Sequence, residues 1–181
     1  MILLVGASAS GKTEIAKSLS KKYGIKKAIT NTTREKRDGE INGIDYYFLS
    51  REEFLNLKEK DKLVESTIYN CNYYGCSKSE IGENKCIVLE PEGIASFLKL
   101  GNKDMVTFLL LAKEETRIKR MKNRGDSIDS INKRIETDKK RFDLNRIGKV
   151  DFVIETDGKP IDLLAKQIYD LYQNHLKKYR N

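Results

Sequence analysis

Three observations predict an α/β fold, a doubly wound parallel sheet flanked by helices. Residues 1–5, 85–89 and 106–112 are short, continuously apolar runs, the pattern of strands buried on both faces of a parallel sheet. These runs alternate with segments of helical period, which places helices over the sheet. The first run opens directly into Gly6-Ala7-Ser8-Ala9-Ser10-Gly11-Lys12-Thr13, a glycine-rich turn between a strand and a helix.

The elements follow in order. The first strand covers 2–5. The G-x-x-x-x-G-K-[ST] spacing after it has a chemical reason. Gly6 and Gly11 let successive N–H groups turn inward as an anion nest, with a helix N-terminus behind them. Lys12 then reaches the β- and γ-phosphates of a nucleotide, and the Thr13 hydroxyl takes a place on Mg²⁺. A Gly/Ser-rich β-turn would share the composition but not the context. A helix over 12–22 follows, with Ile15, Ala16 and Leu19 on one side, and Tyr23-Gly24 closes it. Residues 27–30 read as a short strand and 31–45 as a polar, Gly-punctuated loop. A strand over 46–49 leads into a helix over 51–59, where Ser50 and Glu53 form a capping box. Residues 63–74 alternate enough for two short strands around 70–72, and Ser77 is a candidate cap for a short helix.

Pro91 starts a helix that Gly101 ends. After the strand at 106–112 come a helix over 114–123, a polar stretch from Arg124 to Ser130, and a charged helix to about Asn145. Residues 150–155 form the last strand and 161–179 a closing amphipathic helix. Residues 31–80 read as a mixed β lobe inserted beside the core, and 114–145 as a helical lid over it.

Bulk composition narrows the classes. A length of 181 residues favours one domain with a covered sheet. The net charge of +8 invites a test for nucleic acid, but lysines are spread along the whole chain, so most of the excess reads as solvated surface and a minority as attraction for anionic nucleotides. Cys71, Cys76 and Cys86 are odd in number and lack CxxC spacing, and His175 is the only histidine, so a zinc site is not expected. Free thiols, buried or lining a site in a reducing compartment, are the better reading. No signal pattern precedes the first strand and no apolar run approaches about 18 residues, so a cytoplasmic protein without membrane contact is expected.

A second anion site is suggested by Thr30, Thr33, Arg34 and Arg37 in a Gly-bounded loop near Tyr46. Two guanidinium forks and a phenol are what a phosphate away from the first loop needs, although a solvated Arg/Glu loop has the same residues. Here the chain resembles guanylate kinases. The likeness is carried by Thr-Thr-Arg-x-x-Arg-x-Gly-Glu-x-x-Gly-x-Asp-Tyr-x-Phe over 32–48, by Glu65 followed by Asn72-Tyr73-Tyr74-Gly75, and by Arg120 and Arg124-Gly125 followed by Ile131-Asn132-Lys133-Arg134. It covers almost the whole chain.

The resemblance implies ATP and GMP as substrates, with Mg²⁺, in a chain that is either monomer or homodimer. By position, Arg34, Arg37, Tyr46 and Tyr74 would hold the phosphate of GMP, and Thr30, Cys76 and Glu90 would complete that site. Glu65 would accept from the guanine N1–H and exocyclic amine, which adenine cannot offer. Lys12, Arg34, Arg120, Arg124 and Arg134 would serve phosphoryl transfer. Cys76 stands where the family has Ser or Thr, Val88 and Glu90 replace its Asp-x-Asp, the lid after Arg124 is one residue shorter, and the first glycine is not followed by proline. These departures bear on base selectivity and turnover, not on the phosphate clamps. Two alternatives share the fold: a kinase acting on a phosphorylated sugar, and a phosphopeptide-binding module, which would be expected to lose Lys12.

Overall fold

The structure, a computed structural model, describes residues 1–69, 71–142 and 150–180. Strands β1 (Ile2–Val5), β2 (Lys26–Lys27), β7 (Lys85–Leu89), β8 (Val106–Leu111) and β9 (Phe152–Glu155) form one parallel sheet in the order β2-β7-β1-β8-β9. Side chains of β1 alternate between two cores, which is why the run is apolar throughout. Ile2 and Leu4 pack with Ile15 and Leu19 of α1 (Lys12–Tyr23) and with Leu164 and Ile168 of the C-terminal helix. Met1, Leu3 and Val5 face Ile94 and Phe97 of α3 (Pro91–Leu98) on the other side. The C-terminal helix, α6 here, spans Ile161–Arg180. The loop after β1 therefore leaves the middle of the sheet at the carboxyl ends of its strands, where open α/β sheets bind ligands.

A second, mixed sheet has the order β4-β3-β6-β5, from β3 (Asn31–Thr32), β4 (Tyr47–Phe48), β5 (Leu63–Tyr69) and β6 (Asn72–Ser77). Its β3–β4 pair is parallel and the others antiparallel. Between β4 and β5 lies α2 (Arg51–Glu59), whose Ser50–Glu53 capping box forms as expected. Two further helices, α4 (Glu114–Asn123) and α5 (Ile128–Arg141), close a small core of Met121, Ile131 and Ile135.

Several boundaries differ from expectation. The strand expected over 27–30 is split between the sheets: Ala28 N–H still reaches the Cys86 carbonyl at 2.7 Å, while Thr30 already accepts from Tyr47 N–H at 2.9 Å. Residues 31–45 are not wholly loop, because the buried pair Asn31–Thr32 bonds to β6. The hairpin β5–β6 extends to Ser77, with Cys71 at φ 62° in its turn. Ser77 precedes a short 3₁₀ turn but does not cap it; its Oγ accepts from Asn31 Nδ2 at 2.8 Å instead. Helix α5 starts at Ile128, ahead of the expected position, because Ser127 accepts from Ser130 N–H and caps it there. The expected end near Asn145 lies outside the described residues.

Candidate active site

The loop of residues 6–13 is shaped by its glycines. A Cβ on Gly6 would lie 2.6 Å from both the Leu110 carbonyl and Ser10 Oγ, so no other residue lets the chain leave β1 this close to β8. Gly11 has φ 106°, a left-handed value that suits glycine at the N-cap of α1. Ala7, Ser8 and Ala9 are partly buried, Ser10 is fully buried, and Thr13 is exposed in the first turn of α1. Lys12 Nζ turns back onto the loop, donating to the Gly6 carbonyl and, at 3.0 Å, to that of Ala7. Burial holds the Lys12 pKa below that of an ordinary lysine, and Glu90 and Asp138 pull it part of the way back.

Arg120 sits against this loop. Its Nη1 donates to the Ala9 carbonyl at 3.1 Å and to Thr156 Oγ1 at 3.2 Å, and its Nη2 to the Thr156 carbonyl at 2.9 Å. Arg124 caps the C-terminus of α4 rather than continuing it. Both Arg124 and Arg134 converge on Asp126, at 2.5 and 3.7 Å, and both side chains remain 47 % exposed. Arg124 holds the Asp126 carboxyl below its ordinary value. Glu90 occupies the N-cap position of α3 without a side-chain capping bond, exposed, with Arg141 Nη1 at 3.7 Å from its carboxylate.

The second cluster lies on the mixed sheet. Arg34 Nη2 donates to both Glu40 oxygens, at 2.7 and 3.0 Å, and its guanidinium lies 5.6 Å from the Tyr46 ring centre and 5.7 Å from that of Phe48. Tyr46 meets Tyr74 edge to face at 6.2 Å. The Glu40 carboxylate, first, and the Tyr74 hydroxyl, after it, hold Arg34 firmly in its charged form. Burial and the nearby Tyr74 push the Tyr46 phenol up. Arg37 is exposed, its N–H donating to Glu40 Oε2 at 2.8 Å. Thr30 adjoins this cluster through its bond to Tyr47.

Glu65 lies opposite Cys76 in the β5–β6 ladder and accepts the Cys76 N–H at 3.1 Å. Burial raises its pKa, and that one backbone bond only partly offsets the effect. Cys76 itself is fully buried, with Sγ directed to the Ser77 carbonyl at 3.6 Å and a thiol pKa pushed up to about 12 by burial. Cys76 offers Glu65 its N–H, while its thiol is buried away from solvent. Cys86 is likewise buried, whereas Cys71 is exposed.

The structure thus gathers Lys12, Arg120 and the loop at one point, and Arg34, Tyr46, Tyr74 and Glu65 on the second sheet. Nothing in the sequence pattern singles out Thr156, Arg117 or Asp138, whose partners are remote in the chain. Only Asp126, two residues from Arg124, carried a local hint.

A guanylate kinase family model matches residues 1–172. Over 181 aligned residues the chain is 32 % identical to a guanylate kinase of Prochlorococcus marinus (strain MIT 9312), with 96 % of each chain covered. It is 31 % identical over 186 residues to the guanylate kinase of Mycoplasmoides gallisepticum, covering 98 % of this chain and 92 % of that one. The crystal structure of guanylate kinase from Anaplasma phagocytophilum shares the fold with a TM-score of 0.63 at 22 % identity, over 96 % of this chain and 84 % of that one.

Proposed function

Because the chain belongs to the guanylate kinase family, we infer that it transfers the terminal phosphoryl group of ATP to GMP, giving ADP and GDP. The observation that carries this reading is the pairing of two anion sites in one chain: a phosphate loop with Lys12 and Arg120, and an Arg34–Tyr46–Tyr74 cluster on the sheet that also carries Glu65.

In this reading Lys12 and the phosphate-loop N–H groups, apart from those of Ser8 and Ser10, which donate to Asp138 and to the Ala7 carbonyl, hold the ATP phosphates, and Arg120, Arg124 and Arg134 offset charge on the transferring group. Phosphoryl transfer asks for little covalent help, so positioning and positive charge supply most of the rate. Arg34, Arg37, Tyr46 and Tyr74 seat the GMP phosphate, with Thr30 at the edge of the site. Glu65 accepts from the guanine edge, and the Cys76 N–H keeps its carboxylate oriented. The exposed Thr13 hydroxyl is a hard oxygen donor of the kind Mg²⁺ prefers, and the exposed Glu90 carboxylate would order water on the ion or reach the base. When bound, that ion would neutralise phosphate charge. Closure of the lobe over residues 31–80 and the lid over 114–145 would exclude water that otherwise hydrolyses ATP.

No helix among the described residues is long and apolar enough to cross a membrane. We place the protein in the cytoplasm, acting on free nucleotides. The test is ADP formation from Mg·ATP with GMP, dGMP, AMP, CMP, UMP and ribose phosphates offered separately. Turnover with GMP and little with AMP is expected. Turnover confined to a sugar phosphate, or none in a folded chain that binds ATP, would overturn the reading.

A further inference from the structure

An acidic side chain is bonded to the phosphate loop, where an anion is least expected. Asp138 of α5 accepts from Ser8 N–H through Oδ2 at 2.9 Å and faces Ser8 Oγ through Oδ1 at 3.3 Å. Its Oδ2 also takes Arg117 Nη1 of α4 at 2.7 Å, and both side chains are only 8 % exposed. The neighbouring residue, Ala9, packs on the Met121–Ile131–Ile135 core that joins the same two helices. The helix pair therefore grips adjacent loop residues twice, once through apolar contact and once through a buried carboxylate.

A lone carboxylate here would repel a bound polyphosphate. Paired with Arg117 it carries no net charge, yet it still offers two strong acceptor atoms. A buried ion pair of this kind is weak evidence for stability, because burying both charges offsets most of their attraction. The loop contact gives the pair another purpose.

We propose that Asp138, neutralised by Arg117, is a positioning residue that holds the Ser8 segment of the phosphate loop in its nucleotide-ready shape and couples that loop to the α4–α5 pair. This rests on ATP occupying the loop, as in the reading above. Asp138 acts through Ser8, without contact to the reacting atoms.

Three variants test it by calorimetric titration with Mg·ATP, by titration with GMP, and by thermal melting. Asp138→Ala removes both acceptors and should weaken Mg·ATP binding by roughly tenfold, the size expected for losing charge-assisted hydrogen bonds, while GMP binding holds. Asp138→Asn keeps an oxygen for the Ser8 N–H and should retain near-native Mg·ATP binding even if its melting temperature falls. The double variant Arg117→Met with Asp138→Leu removes both buried charges at similar volume, so the fold should survive. It should nonetheless bind Mg·ATP as poorly as Asp138→Ala. Native Mg·ATP affinity in that double variant, or equal losses for ATP and GMP in all three, would show that the pair is only structural and overturn the proposal. The Mg·ATP titration needs no GMP turnover. Failure to phosphorylate GMP would count against the functional reading alone, and the titration would still decide for or against Asp138.

Discussion

Lys12 and Arg37 carry the same charge but belong to different anion sites, so their loss should be felt differently. Lys12→Ala removes the cation that lies on the phosphate loop and should lower kcat by roughly 100-fold or more while leaving GMP binding largely intact. Arg37→Ala should instead raise the GMP KM by about tenfold, the loss of one charge-assisted contact to phosphate. Steady-state kinetics with each substrate varied separates the two, and equal loss of GMP binding in both variants would contradict the two-site assignment. Glu65 adds a pH signature. Its folded pKa is raised, so the folded chain binds that proton more tightly than the unfolded one does. The ionised carboxylate therefore costs stability, and the cost grows as pH rises from the unfolded value through the folded one. Glu65→Gln should melt higher than the parent, by a smaller margin at about pH 5 than at about pH 7.5. The same variant should lose most of its preference for GMP over AMP, on the order of 100-fold, because the amide presents a donor where guanine also donates. A melting difference independent of pH would remove Glu65 from this account.

Helix α2 shows what local chemistry settles. Ser50 accepts from Glu53 N–H at 3.1 Å and Glu53 accepts from Ser50 N–H at 2.7 Å, a reciprocal pair written in four consecutive residues. Ser50→Ala should destabilise the protein by about 1 kcal/mol in urea denaturation. Phe54, fully buried one turn further on, should cost far more when truncated, about 3–5 kcal/mol for Phe54→Ala. Elements of this kind were legible in the sequence, as were β1, the phosphate loop, α1 and the parallel strands, because the signal and its cause lie within one turn or one run. Elements decided across the chain were not. The split of the 27–30 segment depends on β7 releasing the strand and β4 capturing it at Thr30, and neither is written near residue 28. The start of α5 at Ile128 depended on Ser127 acting as a cap in a stretch rich in polar residues, where several could. The site divides the same way: Lys12, Arg34, Arg120 and Glu65 stand in recognisable runs, whereas Thr156 and Asp138 reach the loop from 146 and 130 residues away.

At the scale of the whole molecule, the two sheets must hold together while still being able to close over substrates. Glu80 lies at their junction, 5 % exposed. Its Oε2 accepts from Ile29 N–H at 2.9 Å, where the chain crosses from β2 to β3, and from Lys85 Nζ at 2.6 Å on β7. The Tyr47 hydroxyl of β4 reaches Oε1 at 3.4 Å. One carboxylate thus bonds to the crossing, to the parallel sheet and to the mixed sheet, without contributing to either anion site. Glu80→Ala leaves the Ile29 N–H and the Lys85 ammonium without their acceptor and should destabilise the fold by about 2–3 kcal/mol. The form of the loss is as informative as its size. If the two sheets unfold as one unit, the urea midpoint should fall with the slope m unchanged. If Glu80 is what makes them one unit, the transition should broaden and the apparent m should drop, because the mixed sheet then opens ahead of the core. We expect the second outcome: the hydrogen bonds of Glu80 span both sheets, while each sheet has a ladder of its own. In that case Glu80→Ala should also raise ATP hydrolysis in the presence of GMP, since a lobe that opens too readily admits water to the transferring phosphoryl group. A native midpoint and native coupling of ATP consumption to GDP formation would show that the sheets are joined elsewhere.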